Sequence, residues 1–166
     1  MSVAYRHHFE GSSGPRQRVT LEYTLRSATR VLDSDFVYTR HMVEGQYSAG
    51  WGRNYVGIRG IAGQVTGTAP LFERFSLGNS TLLRGWNKFD VAPHGGNRVA
   101  YGSLEYHYSD FAIFYDAGAV WDRGRSAKAR HAVGFGIADR HGAFLLLGIP
   151  LRMQHIEPIV MAGIRF

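Results

Sequence analysis

The 166-residue chain contains no cysteine, five prolines and, among its nineteen basic residues, only two lysines, Lys88 and Lys128. The missing cysteines exclude a disulfide framework, a cysteine-held metal and a thiol nucleophile, and leave the compartment open. No charge-free apolar run approaches the roughly 18 residues of a membrane-spanning helix. The longest such run, Gly142 to Leu151, has ten residues. A spanning helix is excluded, but about ten residues is the span of a tilted membrane β-strand. The start, Met1-Ser2-Val3, has neither a basic nor an apolar segment of the kind that directs export, so any export signal is expected to have been removed or replaced.

What is abundant is glycine, 21 residues, against an average usage of about 7%. Together with 13% aromatic residues and few prolines, this argues against both disorder and a helical bundle, because glycine is costly inside helices. The formal charge of +6 would draw the chain toward anionic surfaces. Its arginines lie singly or in pairs between apolar residues instead of clustering, which argues against nucleic acid as a partner.

Period-two alternation dominates the local pattern. Val19, Leu21, Tyr23 and Leu25 fall on one face of an extended segment and Arg18, Thr20, Glu22, Thr24 and Arg26 on the other. The pattern returns with Val56, Ile58, Gly60 and Ala62, with Ala100, Leu104, Tyr106 and Tyr108, and with Val160, Ala162, Ile164 and Phe166. Strands are predicted near 2–9, 16–27, 35–47, 53–66, 97–109, 111–122, 129–139, 142–152 and 157–166, separated by turn residues such as Ser109-Asp110 and Asp122-Arg123-Gly124. One connection, 67–97, is far longer than the rest and contains Pro70, Pro93 and Gly95-Gly96. Loops of that length in a compact chain are usually functional or disordered.

Alternating strands fit a soluble barrel or sandwich with its apolar side inward, or a membrane barrel with its apolar side outward. Strand-end aromatics (Tyr5, Phe9, Tyr38, Tyr47, Trp51, Tyr55, Tyr106, Tyr108, Trp121 and Phe166) resemble the girdles of outer-membrane barrels, and several strands exceed the usual length of about five or six residues. The fold class read from these features is all-β, an antiparallel transmembrane β-barrel, in a single domain over 1–166. Nine strands conflict with the even number of bacterial barrels. Either 2–9 is a fraying remnant, leaving eight strands, or two C-terminal strands merge. A closed eight-stranded monomer is preferred. Because eight strands enclose little space for a long loop, two half-barrels pairing edge to edge as a homodimer form the alternative.

The stretch from Pro70 to Trp86, ending Leu83-Arg84-Gly85-Trp86, resembles the segment leading into the sixth extracellular loop of the BamA, TamA and FhaC superfamily, which includes the bacterial surface antigens and whose loop ends in Arg-Gly-Tyr or Arg-Gly-Phe. Leu104-Glu105-Tyr106, Phe114-Tyr115-Asp116-Ala117-Gly118 and Val133-Gly134-Phe135-Gly136 resemble that family's following strands, and Ile164-Arg165-Phe166 its C-terminal signal. The resemblance spans about 16–166 and corresponds to the C-terminal half of a sixteen-stranded barrel, without the periplasmic polypeptide-transport domains. It implies a bacterial outer-membrane location and a role in inserting or translocating other proteins. It further implies that Arg84 reaches into the lumen to meet Glu105 and Asp116, and that Val160, Ala162, Ile164 and Phe166 form an insertion signal. The alternative reading of Arg84 is a plain surface charge.

Lipid bilayer and lipopolysaccharide are the expected partners, with other outer-membrane proteins or a second copy beside them. No cofactor, metal or enzymatic activity is expected. His7 and His8 would face opposite sides of a strand, the other histidines show no paired ligand spacing, and no Gly-x-Ser-x-Gly elbow is present. Beside assembly, a small pore or structural barrel and a soluble ligand-binding barrel remain open.

Overall fold

A computed structural model describes residues 2–10, 16–29, 35–139, 142–152 and 156–164. Its strands are β1 (Ser2–Glu10), β2 (Arg16–Ala28), β3 (Val37–Trp51), β4 (Asn54–Thr68), β5 (Arg98–Tyr108), β6 (Phe111–Trp121), β7 (Arg130–Ala138), β8 (Ala143–Pro150) and β9 (Ile159–Ile164). They form one sheet in chain order, each strand antiparallel to the next. The eight strands expected after residue 16 are β2 to β9. The segment 2–9, open between a strand and a fraying remnant, is a ninth strand along β2, and the two C-terminal strands stay separate.

Among the described residues no ladder joins β9 to β1 or β2, so the sheet is open in the manner of a half-barrel. No described helix is long and apolar enough to cross a membrane, which has no bearing on crossing by strands.

Register extends the alternation of each strand across the whole sheet. Tyr23 faces Val43, Val43 faces Ala62, Ala62 faces Ala100, and Ala100 faces Ala119, so one face is continuous from β2 to β6. That face is exposed and apolar: Leu104 keeps 50% of its surface and Val160 66%, with Leu21, Ile58, Ile113 and Phe135 alike. The charged residues of β2–β9 occupy the opposite register, with Arg98 the one exception. A sheet that exposes its apolar side and turns its charges inward matches a lipid solvent.

The structure corrects some boundaries. The strand expected over 35–47 runs from Val37 to Trp51, and the turn falls at Gly52-Arg53. Ser48, Ala49 and Gly50 pair with Gly57, Val56 and Tyr55 of β4, and the reversal needs the left-handed backbone that Gly52 adopts at φ 58°. Two expected girdle aromatics, Tyr38 and Tyr55, take the inner register. Tyr38 packs on the core, and the Tyr55 ring meets His107 edge-on at 5.4 Å. The long connection between β4 and β5 is ordered and lies on the inner face, where its Phe75, Leu77, Leu83 and Trp86 join Ile61, Val65, Val99, Tyr101 and Val120 in the main core.

Candidate functional site

The long loop is built in local steps. After a 3-10 turn over Leu71–Glu73, Phe75 and Gly96 exchange two backbone hydrogen bonds of 2.9 Å and close the loop's neck. At the tip, the Asn79 side chain accepts from the Thr81 and Leu82 amides at 2.9 and 2.7 Å. Asn87 then accepts from the Phe89 amide at 3.0 Å and caps the short helix α1, Lys88–Val91. Between these fixed points Leu83 and Gly85 both take positive φ, 54° and 86°. This fold of the backbone turns Arg84 inward.

Arg84 is 3% exposed and Asp116, on β6, is 0% exposed. The Arg84 Nε and Nη2 donate to Asp116 Oδ2 and Oδ1 at 2.9 and 2.8 Å, and the Arg84 amide donates to Oδ2 at 2.8 Å. The fork geometry of the guanidinium suits this paired contact, which a lysine would not reproduce. On β5, Glu105 accepts from Nη1, while Ser103 accepts from Nη2 at 3.0 Å and donates to Asp116 at 2.7 Å. His107 Nε2 lies 2.5 Å from the other Glu105 oxygen. The Phe114 ring sits beneath the guanidinium, 3.6 Å from ring centroid to Cζ, and supplies a cation–π contact. Burial pulls the Arg84 proton affinity down, but the hydrogen bonds and charge of Asp116 and then Glu105 outweigh it, so the pKa ends raised.

Glycines on the inner wall make the room. A Cβ at Gly134 would stand 2.1 Å from the Phe114 ring, and one at Gly148 would stand 2.7 Å from the Gly85 amide nitrogen. The loop backbone therefore lies directly on β8. Trp86 follows by donating its Nε1 to the His131 carbonyl at 2.8 Å, with Arg130 stacked over its ring.

Three further ion pairs tether the loop's start in two opposite directions. Glu73 meets Arg26 of β2 at 3.4 Å and Arg40 of β3 at 3.8 Å, and Arg40 stacks on Phe75. Arg74 donates to Asp122, beyond β6, at 2.6 Å and to the Gly95 carbonyl at 3.1 Å. Burial raises the Asp122 pKa, but the Arg74 hydrogen bond and charge together with the Asn97 amide outweigh it and hold the carboxyl below its ordinary value.

The structure thus brings Leu83, Arg84, Gly85 and Trp86 together with Glu105 and Asp116 in one buried cluster. Val160, Ala162 and Ile164 lie on the outward register of β9, away from the loop, and Phe166 falls outside the described residues. The predicted site residues omitted Ser103, His107 and Phe114. All three share an inner-facing row with a predicted acid at a spacing of two, the signal that could have found them. The Glu73 and Arg74 tethers carry no such periodic signal.

Along the inner wall two cavities remain, one of about 550 Å³ lined by Arg18, Gln46, Arg59, Arg84 and Glu105, and one of about 910 Å³ at the short-turn end beside Arg16, Tyr55 and His107. Among the described residues no three His, Asp or Glu side chains converge as metal ligands would.

The model of the Omp85 superfamily domain matches residues 7–151, which takes in the loop, Arg84 and both of its acids. The chain belongs to the Omp85 superfamily. It is therefore related to the outer-membrane assembly and translocation barrels, which are not enzymes, and its sheet is of the kind those barrels use. No curated protein matches the chain. The Omp85 match ends just past β8, so β9 and its outward residues lie beyond it.

Proposed function

We propose that this chain resides in a bacterial outer membrane and assists the insertion or translocation of other outer-membrane proteins, with the loop over 67–97 pinned as a strut on the inner wall. The observation that carries the reading is the burial of Arg84 against Asp116 and Glu105. An ion triad of this quality on a loop is a costly way to fill space, because each charge must be stripped of water and paired. Its evident product is a fixed loop. A wall held at defined curvature supports perturbation of the nearby bilayer and templating of an incoming strand without bond chemistry.

A second reading, a small pore or structural barrel, is favoured by the two cavities along the inner wall, each bordered by arginine and Glu105. Reconstitution separates the two. On the assembly reading, vesicles bearing the wild-type chain speed the insertion of a test barrel, Arg84→Ala loses that acceleration while still migrating as a folded band on unheated gels, and planar bilayers stay silent. Steady wide openings without accelerated insertion would establish the pore instead. Recovery of the chain in the inner-membrane or soluble fraction of cells would sink both.

A further inference from the structure

Arg98 is the only Asp, Glu, Lys or Arg on the outward register of β2–β9. It opens β5 at the long-loop rim. Register places it in a row, His41 opposite Gln64, Gln64 opposite Arg98, and Arg98 opposite Trp121. One row further from that rim come Val43, Ala62, Ala100 and Ala119. Short side chains between taller walls leave a shallow groove of about 490 Å³, with His41 and Val43 on one side and Trp121 on the other. His41 is itself steadied by Tyr23, whose hydroxyl lies 2.7 Å from Nδ1.

Among the described residues neither Arg98 nor Gln64 has a side-chain hydrogen bond or ion pair. A cation on a lipid-facing wall is unfavourable unless it reaches the interface or meets an anion. Arg98 stands at the rim, at headgroup height, and no acid of β2–β9 shares its face, so an anion that pairs with it there comes from outside the chain. The groove is ordered as an amphiphile is: cation and amide at the rim, with Trp121 at the height where tryptophans settle in membranes, and an apolar floor leading toward the bilayer interior. A protein segment would need no such order.

We propose that this groove binds one anionic phospholipid, a lipid whose headgroup phosphate carries net negative charge, of the leaflet nearest the long loop, its phosphate on Arg98 and Gln64 and an acyl chain over Ala62 and Ala100. Trp121 is a built-in reporter, since Trp51 lies at the opposite end of the sheet and Trp86, on the loop itself, is buried against the inner wall.

The full chain is reconstituted in phosphatidylcholine vesicles with rising fractions of brominated phosphatidylglycerol, or of brominated phosphatidylcholine as control. The quenching that disappears in Trp121→Phe is then read. The site predicts saturation, half-complete at a mole fraction about fivefold lower for the anionic lipid, a factor typical of one cation at an anionic surface. Arg98→Gln removes the preference, and Ala100→Leu, which fills the floor but keeps the charge, removes the saturation. Quenching proportional to mole fraction and equal for the two lipids overturns the proposal. So does an anionic preference that survives Ala100→Leu intact, since that would be attraction of the bilayer surface alone.

Discussion

Asp116 has no contact with water, and its two oxygens receive four donors: the Arg84 amide, two guanidinium nitrogens and the Ser103 hydroxyl. Removing one partner of such a pair leaves the other charge buried and uncompensated, which costs about 3–5 kcal/mol, whereas exchanging the pair for well-packed neutral groups costs far less. Arg84→Ala is therefore expected to lower stability by about that amount in urea titrations followed by tryptophan fluorescence in micelles. Arg84→Lys should recover little, because an ammonium cannot address both Asp116 oxygens while facing Glu105 and the Phe114 ring. The double variant Arg84→Met, Asp116→Leu should be more stable than Arg84→Ala alone. If Arg84→Ala and wild type unfold at the same urea concentration, the cluster contributes nothing to the fold.

The loop as an element is held at three heights: at its neck by the Phe75–Gly96 bridge, at its start by Glu73 and Arg74, and at its motif by the wall of β8. Gly85 serves the last of these, since a Cβ there would come within 2.9 Å of the Gly148 backbone and would sit on a left-handed φ. Gly85→Ala should lift the loop and expose the 76–95 segment to proteases that leave the strands intact. At the Arg74–Asp122 tether the sign of the pH effect follows from a depressed carboxylate. Its stabilising share is complete above the unfolded value of about 3.9 and is lost as pH falls through the lower folded value. Hydrogen exchange, corrected for its intrinsic pH dependence, should show the Asn97 amide losing protection only below about pH 4, and Asp122→Asn should flatten that dependence.

This is also the scale at which the sequence was only partly legible. Period-two alternation sufficed for the strands, because register transmits one strand's polarity to its neighbour. The Arg84, Glu105 and Asp116 grouping was legible through family resemblance, which supplied the long-range pairing that spacing cannot. The tethers were not legible. Glu73 and Arg74 are adjacent charges whose ion-pair partners lie 33 to 48 residues away, on β2, on β3 and just past the end of β6, and no local period encodes such a meeting. Tyr38 and Tyr55 were misjudged for a related reason, since a strand-end aromatic suits a girdle or a core equally until its register is known.

For the whole molecule, the decisive property is polarity: charge toward the loop and the cavities, aliphatic and aromatic groups away from them. The cost of violating it depends on the face. Ile58→Arg, on the outward register in mid-strand, should destabilise the chain by about 2–4 kcal/mol in phospholipid vesicles, as a charge near the bilayer midplane does. Gln46→Arg, in the inner cavity beside Glu44, should cost little. Equal losses at the two positions would mean that the apolar face does not meet lipid.

The ligands of the Arg84 guanidinium all come from one hairpin, β5 and β6, whose turn is Ser109-Asp110. The socket is therefore complete once that hairpin closes, while the contacts of Gly85 and Trp86 must wait for β7 and β8. Topology alone lets the charged end of the loop engage a chain still missing its last three strands, and only the arrival of β7 and β8 supplies the wall on which Gly85 and Trp86 rest.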